Sequence, residues 1–161
     1  MSRPIRVLFV CLGNICRSPL AEGLCIGAVE RRGLEEGFEI ASAGTAAYHA
    51  GELADPRTRE ILEQRGIQLR SRARRITPTD FVYFDHVLAM DESNLRSLLA
   101  QCPEDHRYKL RKVLALSSGG DVVDPYYGGP AGFERNAVQL EVALEAWIAH
   151  WLTDRRDSDH A

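Results

Sequence analysis

The 161-residue chain has no internal repeat, no low-complexity stretch and no apolar run approaching the length of a membrane span. A membrane partner is therefore not expected. The N-terminal residues lack the apolar core of a signal peptide, and the default reading is a cytoplasmic protein. Excess positive charge is also missing: the formal net charge is −3, which gives no general attraction to nucleic acid or anionic lipid. The local exception is Arg70, Arg72, Arg74 and Arg75, a basic segment read as solvated surface. Cysteine is sparse. Four thiols in a chain with an ordinary core are read as reduced rather than as a disulfide framework. None of the five histidines stands in a HExxH pattern and no paired CxxC spacing occurs, so neither a metal nor another cofactor is expected.

What is present is a strand–loop–helix unit at the N-terminus. Ile5 to Val10 is an apolar run of strand length, and helical spacing begins after Pro19. Between them lies Cys11-Leu12-Gly13-Asn14-Ile15-Cys16-Arg17-Ser18. A turn of this kind gathers backbone N–H groups and the positive end of a helix dipole at one point, which makes an anion cradle. Arg17 adds a planar fork that grips two phosphate oxygens, and Cys11 sits at the floor. The donors that favour phosphate also favour thiolate, so one loop holds both a nucleophile and a phosphate site. Ser18 and Pro19 suit N-cap and first helical position.

Further along, Leu20, Leu24 and Ala28 with Ala21, Cys25 and Val29 give a helix stopped near Gly33. Phe38 to Ala41 is a second strand, and Asp55-Pro56 opens a second helix that ends at Gly66. Thr77-Pro78 begins a short helical turn. Phe84 to Met90 is a third strand, and Asp91 caps a helix with Leu95, Leu98 and Leu99 inward. Lys109 to Leu116 is a weaker fourth strand, Ser117 to Gly132 a loop, and Phe133 to Leu152 a last helix with Val138, Val142, Leu144, Ile148 and Trp151 on its apolar face. A single domain over 1–153 with a polar, frayed tail over 154–161 is expected. Strands alternating with helices imply an α/β fold with a parallel sheet covered on both faces.

The loop Val10-Cys11-Leu12-Gly13-Asn14-Ile15-Cys16-Arg17-Ser18-Pro19 resembles the phosphate-binding loop of the low-molecular-weight protein tyrosine phosphatases. The likeness continues through Ser42-Ala43-Gly44-Thr45, Asp55-Pro56-Arg57, Met90-Asp91-Glu92-Ser93-Asn94-Leu95 and Asp124-Pro125-Tyr126-Tyr127. It implies a three-layer αβα fold with a four-stranded parallel sheet in the order 2-1-3-4, which puts the loop at the topological switch point. It also implies hydrolysis of phosphotyrosine and aryl phosphate monoesters through a phosphocysteine, with inorganic phosphate as product and inhibitor. Cys11 would be the nucleophile and Arg17 the phosphate clamp. Asp124 would be the acid that protonates the leaving oxygen and then the base for the hydrolytic water.

The same resemblance gives Leu12, Gly13, Asn14, Ile15, Cys16 and Ser18 to substrate binding through the loop. Tyr48, Tyr126 and Tyr127 join Leu12 and Ile15 at the mouth. Asn14 is expected to brace the loop by bonding across to Ser42, and Ser18 to donate to the Cys11 sulfur. Cys16 has two readings, a small packing residue or a redox partner that forms a reversible disulfide with Cys11. The chain departs from the pattern at Ser71, where many eukaryotic members have a histidine that partners the aspartate corresponding to Asp91. Asp91 is therefore expected only to cap its helix.

Two alternatives compete. An arsenate reductase on the same fold needs further cysteines to relay a disulfide outward, and Cys25 and Cys102 make a poor relay. A non-catalytic phosphoprotein-binding module would need the cradle but not Asp124.

Overall fold

The computed structural model describes residues 3–159. Four strands, β1 (Ile5–Cys11), β2 (Phe38–Gly44), β3 (His86–Ala89) and β4 (Leu110–Lys112), form one parallel sheet in the order β2-β1-β3-β4. Five α-helices accompany them: α1 (Arg17–Arg31), α2 (Pro56–Gln64), α3 (Pro78–Tyr83), α4 (Glu92–Gln101) and α5 (Pro130–Asp159).

The central strand shows why the sheet is covered on both sides. Val7, Phe9 and Cys11 join one apolar cluster with residues of α1 and α5. Leu8 and Val10 join the other, with Phe81 of α3 and Leu98 of α4. Because side chains alternate along a strand, a continuous apolar run must feed two cores. The expected αβα layering and strand order are those observed. No helix among the described residues is long and apolar enough to cross a membrane.

Several local expectations are corrected. β4 is only three residues long, and Val113–Leu116 turns into a 3-10 helix. Leu110, Val113 and Leu114 are the buried ones, at i, i+3 and i+4, so the spacing was helical rather than alternating. On α4, Leu98 is buried and Leu95 half-buried, but Leu99 is exposed. On α5 the buried row is Phe133, Ala137, Leu140, Leu144, Trp147 and Trp151, whereas Val138 and Val142 are 55% and 60% exposed. Small Ala137 and Ala143 hold inward positions that the bulkier valines seemed to claim. The same helix begins at Pro130 and runs to Asp159, beyond the expected tail boundary; Arg155 within it donates to the Arg3 carbonyl. Residues 160 and 161 of that tail lie outside the described residues.

The start of α1 is the most informative correction. Arg17 is its first residue, Cys16 is the N-cap, and no side chain caps it. Ser18 lies inside the first turn, not at the cap. A capping side chain would occupy N–H donors that an anion cradle needs.

Candidate active site

The loop between β1 and α1 is shaped by its carbonyls. Those of Cys11, Leu12 and Ile15 accept from the backbone N–H groups of Thr45, Ala46 and Asp55, at 2.9, 3.0 and 2.8 Å. That of Cys16 accepts from the Thr58 hydroxyl at 3.1 Å. In a trans peptide unit the N–H points opposite to the C=O. The N–H groups of Leu12, Gly13, Cys16 and Arg17 therefore face the inside of the loop, above Cys11.

Asn14 makes the required bend. Its φ of 58° is in the left-handed region, where asparagine is one of the few tolerated side chains. The amide then does three jobs: Nδ2 donates to both Ser18 Oγ and Ser42 Oγ at 2.9 Å, and Oδ1 accepts from Arg74 N at 3.0 Å. Ser18 Oγ lies 3.0 Å from Cys11 Sγ. Asn14 fills an acceptor site of that hydroxyl, and its hydrogen has two acceptors within reach, the nearer sulfur and the Ala43 carbonyl at 3.4 Å. The expected Asn14–Ser42 and Ser18–Cys11 contacts are both present. Neither Asn14 nor Ser18 lines the cleft, however; they support the loop from behind.

The cleft itself, of about 170 Å³, is floored by Cys11, Gly13 and Arg17 and walled by Leu12, Ile15, Tyr48, Asp124, Tyr126 and Tyr127. Cys16 also reaches it. Tyr126 and Tyr127 meet edge to face with ring centroids 4.9 Å apart, and Tyr127 is 96% exposed. Asp124 enters from the loop before α5. Its Oδ1 accepts from Tyr126 N at 3.1 Å, and its Oδ2 lies 3.7 Å from Arg17 Nη2.

Three contributors were not found in the sequence. His49 lines the cleft, with its ring against Gly13 and its Nδ1 2.8 Å from Glu52. Asp91 does more than cap α4: Oδ1 accepts from Asn94 N at 2.7 Å, while Oδ2 pairs with Arg17 Nη1 at 2.6 Å. Glu22 is buried in α1 and accepts from Ser42 at 2.5 Å and from Ser71 at 3.1 Å. Ser71 thus partners Glu22 rather than Asp91. Burial pushes the Glu22 carboxyl above its ordinary range. The signal for Glu22 was a carboxylate on an otherwise apolar helix face; Asp91 gave none, because capping already explained it.

Within the basic segment Arg70, Arg72 and Arg75 are exposed, as a solvated surface requires, while Arg74 is half-buried. Arg74 forks onto Asp80 at 2.9 and 3.0 Å, and Arg72 donates to the Gly51 carbonyl. Its backbone pairs with Gly44, whose missing side chain matters: a Cβ there would come within 2.7 Å of the Leu12 carbonyl.

The thiols differ in setting. Cys16 is pushed up to about 12, first by burial and then by the Asp55 carboxylate, whose Oδ2 is 4.0 Å from its sulfur. Cys25, wholly inside the core, is also pushed up by burial. Among the described residues no three His, Cys, Asp or Glu side chains gather as a metal-binding group.

A buried cysteine within a ring of inward N–H groups, with an arginine beside it and an aspartate opposite, defines the class of proteins that handle phosphate monoesters on sulfur. Comparison with known proteins makes this narrower. The family model for low molecular weight phosphotyrosine protein phosphatase matches residues 6–157. A relative of that name from Schizosaccharomyces pombe is 46% identical over 144 residues, 87% of this chain and 92% of its own length. The human protein of that name is 40% identical over 132 residues, 80% and 84% of the two chains. A protein tyrosine phosphatase from Entamoeba histolytica, solved with Hepes in its active site, superposes with a TM-score of 0.90 at 40% identity, covering 94% of this chain and 99% of that one. An arginine phosphatase bearing a phosphorylated serine in its active site superposes at 0.85 with 31% identity, covering 94% and 98%. The chain belongs to the low molecular weight phosphotyrosine protein phosphatase family, and it is a cysteine-dependent phosphoric monoester hydrolase acting on phosphoproteins.

Proposed function

We propose that Cys11 Sγ attacks the phosphorus of a phosphotyrosine, forming an S–P bond as the P–O bond to the phenol breaks. The inward N–H groups and Arg17 hold the equatorial oxygens, which carry the charge in the transition state. Asp124 gives its proton to the departing phenolic oxygen, then takes one from the water that cleaves the S–P bond and releases inorganic phosphate. The observation that carries this reading is that Arg17 and Asp124, from segments distant in the chain, approach to 3.7 Å in the Cys11 cleft. Leu12, Ile15, Tyr48, Tyr126 and Tyr127 grip the aromatic ring. Ser42 and Asn14 keep the loop in shape.

Cys16 belongs to the same reading as a resolving thiol, condensing with a sulfenic acid on Cys11 to give a disulfide and water. The burial and nearby carboxylate that keep Cys16 protonated slow that step. A reducing, cytoplasmic setting is consistent with four free cysteines among the described residues. An arsenate relay finds little support, because Cys25 is wholly buried and Cys102 ends α4 on the opposite face of the sheet.

Hydrolysis of para-nitrophenyl phosphate by wild type, Cys11→Ser and Asp124→Ala tests the mechanism. Activity should vanish in Cys11→Ser and fall about 100-fold or more in Asp124→Ala. Turnover surviving in Cys11→Ser would overturn the nucleophile, and an unchanged Asp124→Ala the acid. A phosphotyrosine peptide should be turned over in preference to a phosphoarginine peptide, and the reverse preference would move the chain to the other substrate class.

A further inference from the structure

We propose that Arg57 is a positioning residue for the acid step, holding the Asp124 loop against the phosphate cradle. This rests on the reading of Asp124 as the acid. The Arg57 guanidinium is spent on both halves of the site at once. Nε and Nη2 each lie 3.0 Å from a carboxylate oxygen of Asp55. Nη2 also donates to the Tyr126 carbonyl at 3.1 Å, and Nη1 to the Gly128 carbonyl at 3.2 Å. Its Cζ lies over the Phe133 ring, 4.3 Å from the centroid.

Each end of this bridge is anchored. Asp55 donates its backbone N–H to the Ile15 carbonyl at 2.8 Å, so the carboxylate is fixed to the back of the cradle. It also accepts Arg57 N at 2.9 Å as N-cap of α2, with Pro56 locking the backbone between them. The other end is a loop with two adjacent glycines, Gly128-Gly129, which has little stiffness of its own. Among the described residues, Arg57 is the one side chain from another element that hydrogen-bonds residues 125–129. Asp124 sits at the head of that segment with its side chain 45% exposed, so burial does not fix it.

A lysine could not replace this arrangement. Satisfying one carboxylate and two carbonyls in a single plane requires the five-donor fork, not a point charge. The consequence is specific. Without Arg57 the nucleophile and cradle remain, while proton delivery becomes poorly aligned, so the loss should grow as the leaving group gets worse.

The test compares kcat/KM on phenyl phosphate, whose phenol leaves poorly, with that on para-nitrophenyl phosphate, in wild type, Arg57→Met, Asp124→Asn and the double variant. Arg57→Met should lose about 10-fold on phenyl phosphate and no more than about 3-fold on para-nitrophenyl phosphate. It should cost nothing further in the Asp124→Asn background. Arg57→Lys keeps the charge beside Asp55 and should fold normally, showing the same pattern at smaller size if Arg57→Met is unstable. Equal losses on both substrates, or additive losses in the double variant, would overturn the proposal. An Asp124→Asn enzyme as active as wild type on phenyl phosphate would instead remove the acid reading beneath it.

Discussion

Arg17 Nη1 lies 2.6 Å from Asp91 Oδ2 and 2.8 Å from the Val122 carbonyl, which fixes the guanidinium at 3% exposure. An arginine held by one nitrogen from behind presents its remaining donors forward. Asp91 stands directly after β3, one strand across the switch point from the cradle, so the sheet order itself supplies the partner.

Replacing Asp91 by alanine removes that hold and leaves a nearly buried cation with the Val122 carbonyl and the more distant, half-exposed Asp124 carboxylate. We expect kcat/KM for para-nitrophenyl phosphate to fall about 10- to 100-fold through misorientation. Stability should drop by about 2 kcal/mol, since a buried charge that loses its close partner is costly. Steady-state kinetics and urea unfolding read the two effects. Wild-type kinetics in this variant would show that Val122 and Asp124 orient Arg17 without Asp91.

Ser18→Ala deletes the hydroxyl 3.0 Å from Cys11 Sγ. A hydrogen bond to a charged group contributes about 1.5–3 kcal/mol, so kcat should fall about 10-fold or more with little change in KM. A change confined to KM would place the hydroxyl's role in substrate binding instead.

Asn14 combines left-handed backbone with three side-chain hydrogen bonds. Asn14→Gly keeps the conformation and loses the bonds; Asn14→Ala loses both. Melting temperatures should therefore rank wild type above Asn14→Gly above Asn14→Ala, the last separated from glycine by about 1 kcal/mol. Alanine equal to glycine would mean that the bend relaxes once the amide is gone.

Glu22 gives a pH signature. Its folded carboxyl is raised by burial, so in the folded state it binds its proton more tightly than in the unfolded chain. Ionisation of this group therefore weakens the fold as pH rises above the unfolded value of about 4.3. Glu22→Gln cannot ionise. The melting temperature of the variant minus that of wild type should increase from pH 4 to pH 7, as followed by scanning fluorimetry. A difference that stays flat across this range would contradict the raised value.

The contrast between α1 and α5 shows how far pattern reading carries. In α1, Leu20, Leu24, Ala28 and Cys25 were all assigned to the buried face and all are buried, because a helix laid flat on a sheet hides a broad stripe. In α5, Leu144, Ile148 and Trp151 are buried as assigned, but Val138 and Val142 are not. Bulky Val138 and Val142 drew the assignment outward, while the surface actually covered runs through Ala137 and Ala143, where small size permits close approach of neighbouring elements.

The sequence alone determined the chemistry-bearing loop, since Cys11, Asn14, Arg17 and Ser18 lie within eight consecutive residues of one strand–turn–helix. It also determined a parallel sheet covered on both faces, because the apolar runs of Leu8 to Val10 and Val87 to Ala89 can only be buried between two helical layers. Tertiary structure decided everything that joins distant segments. Asp91 behind Arg17, Glu22 beneath Ser42 and Ser71, and Arg57 across Asp55, Tyr126 and Gly128 are polar contacts between elements whose separation in sequence carries no period. Hydrophobic spacing records which face of an element is buried. It does not record which polar atom waits on the neighbouring element, and that is set only when the sheet order brings the two together.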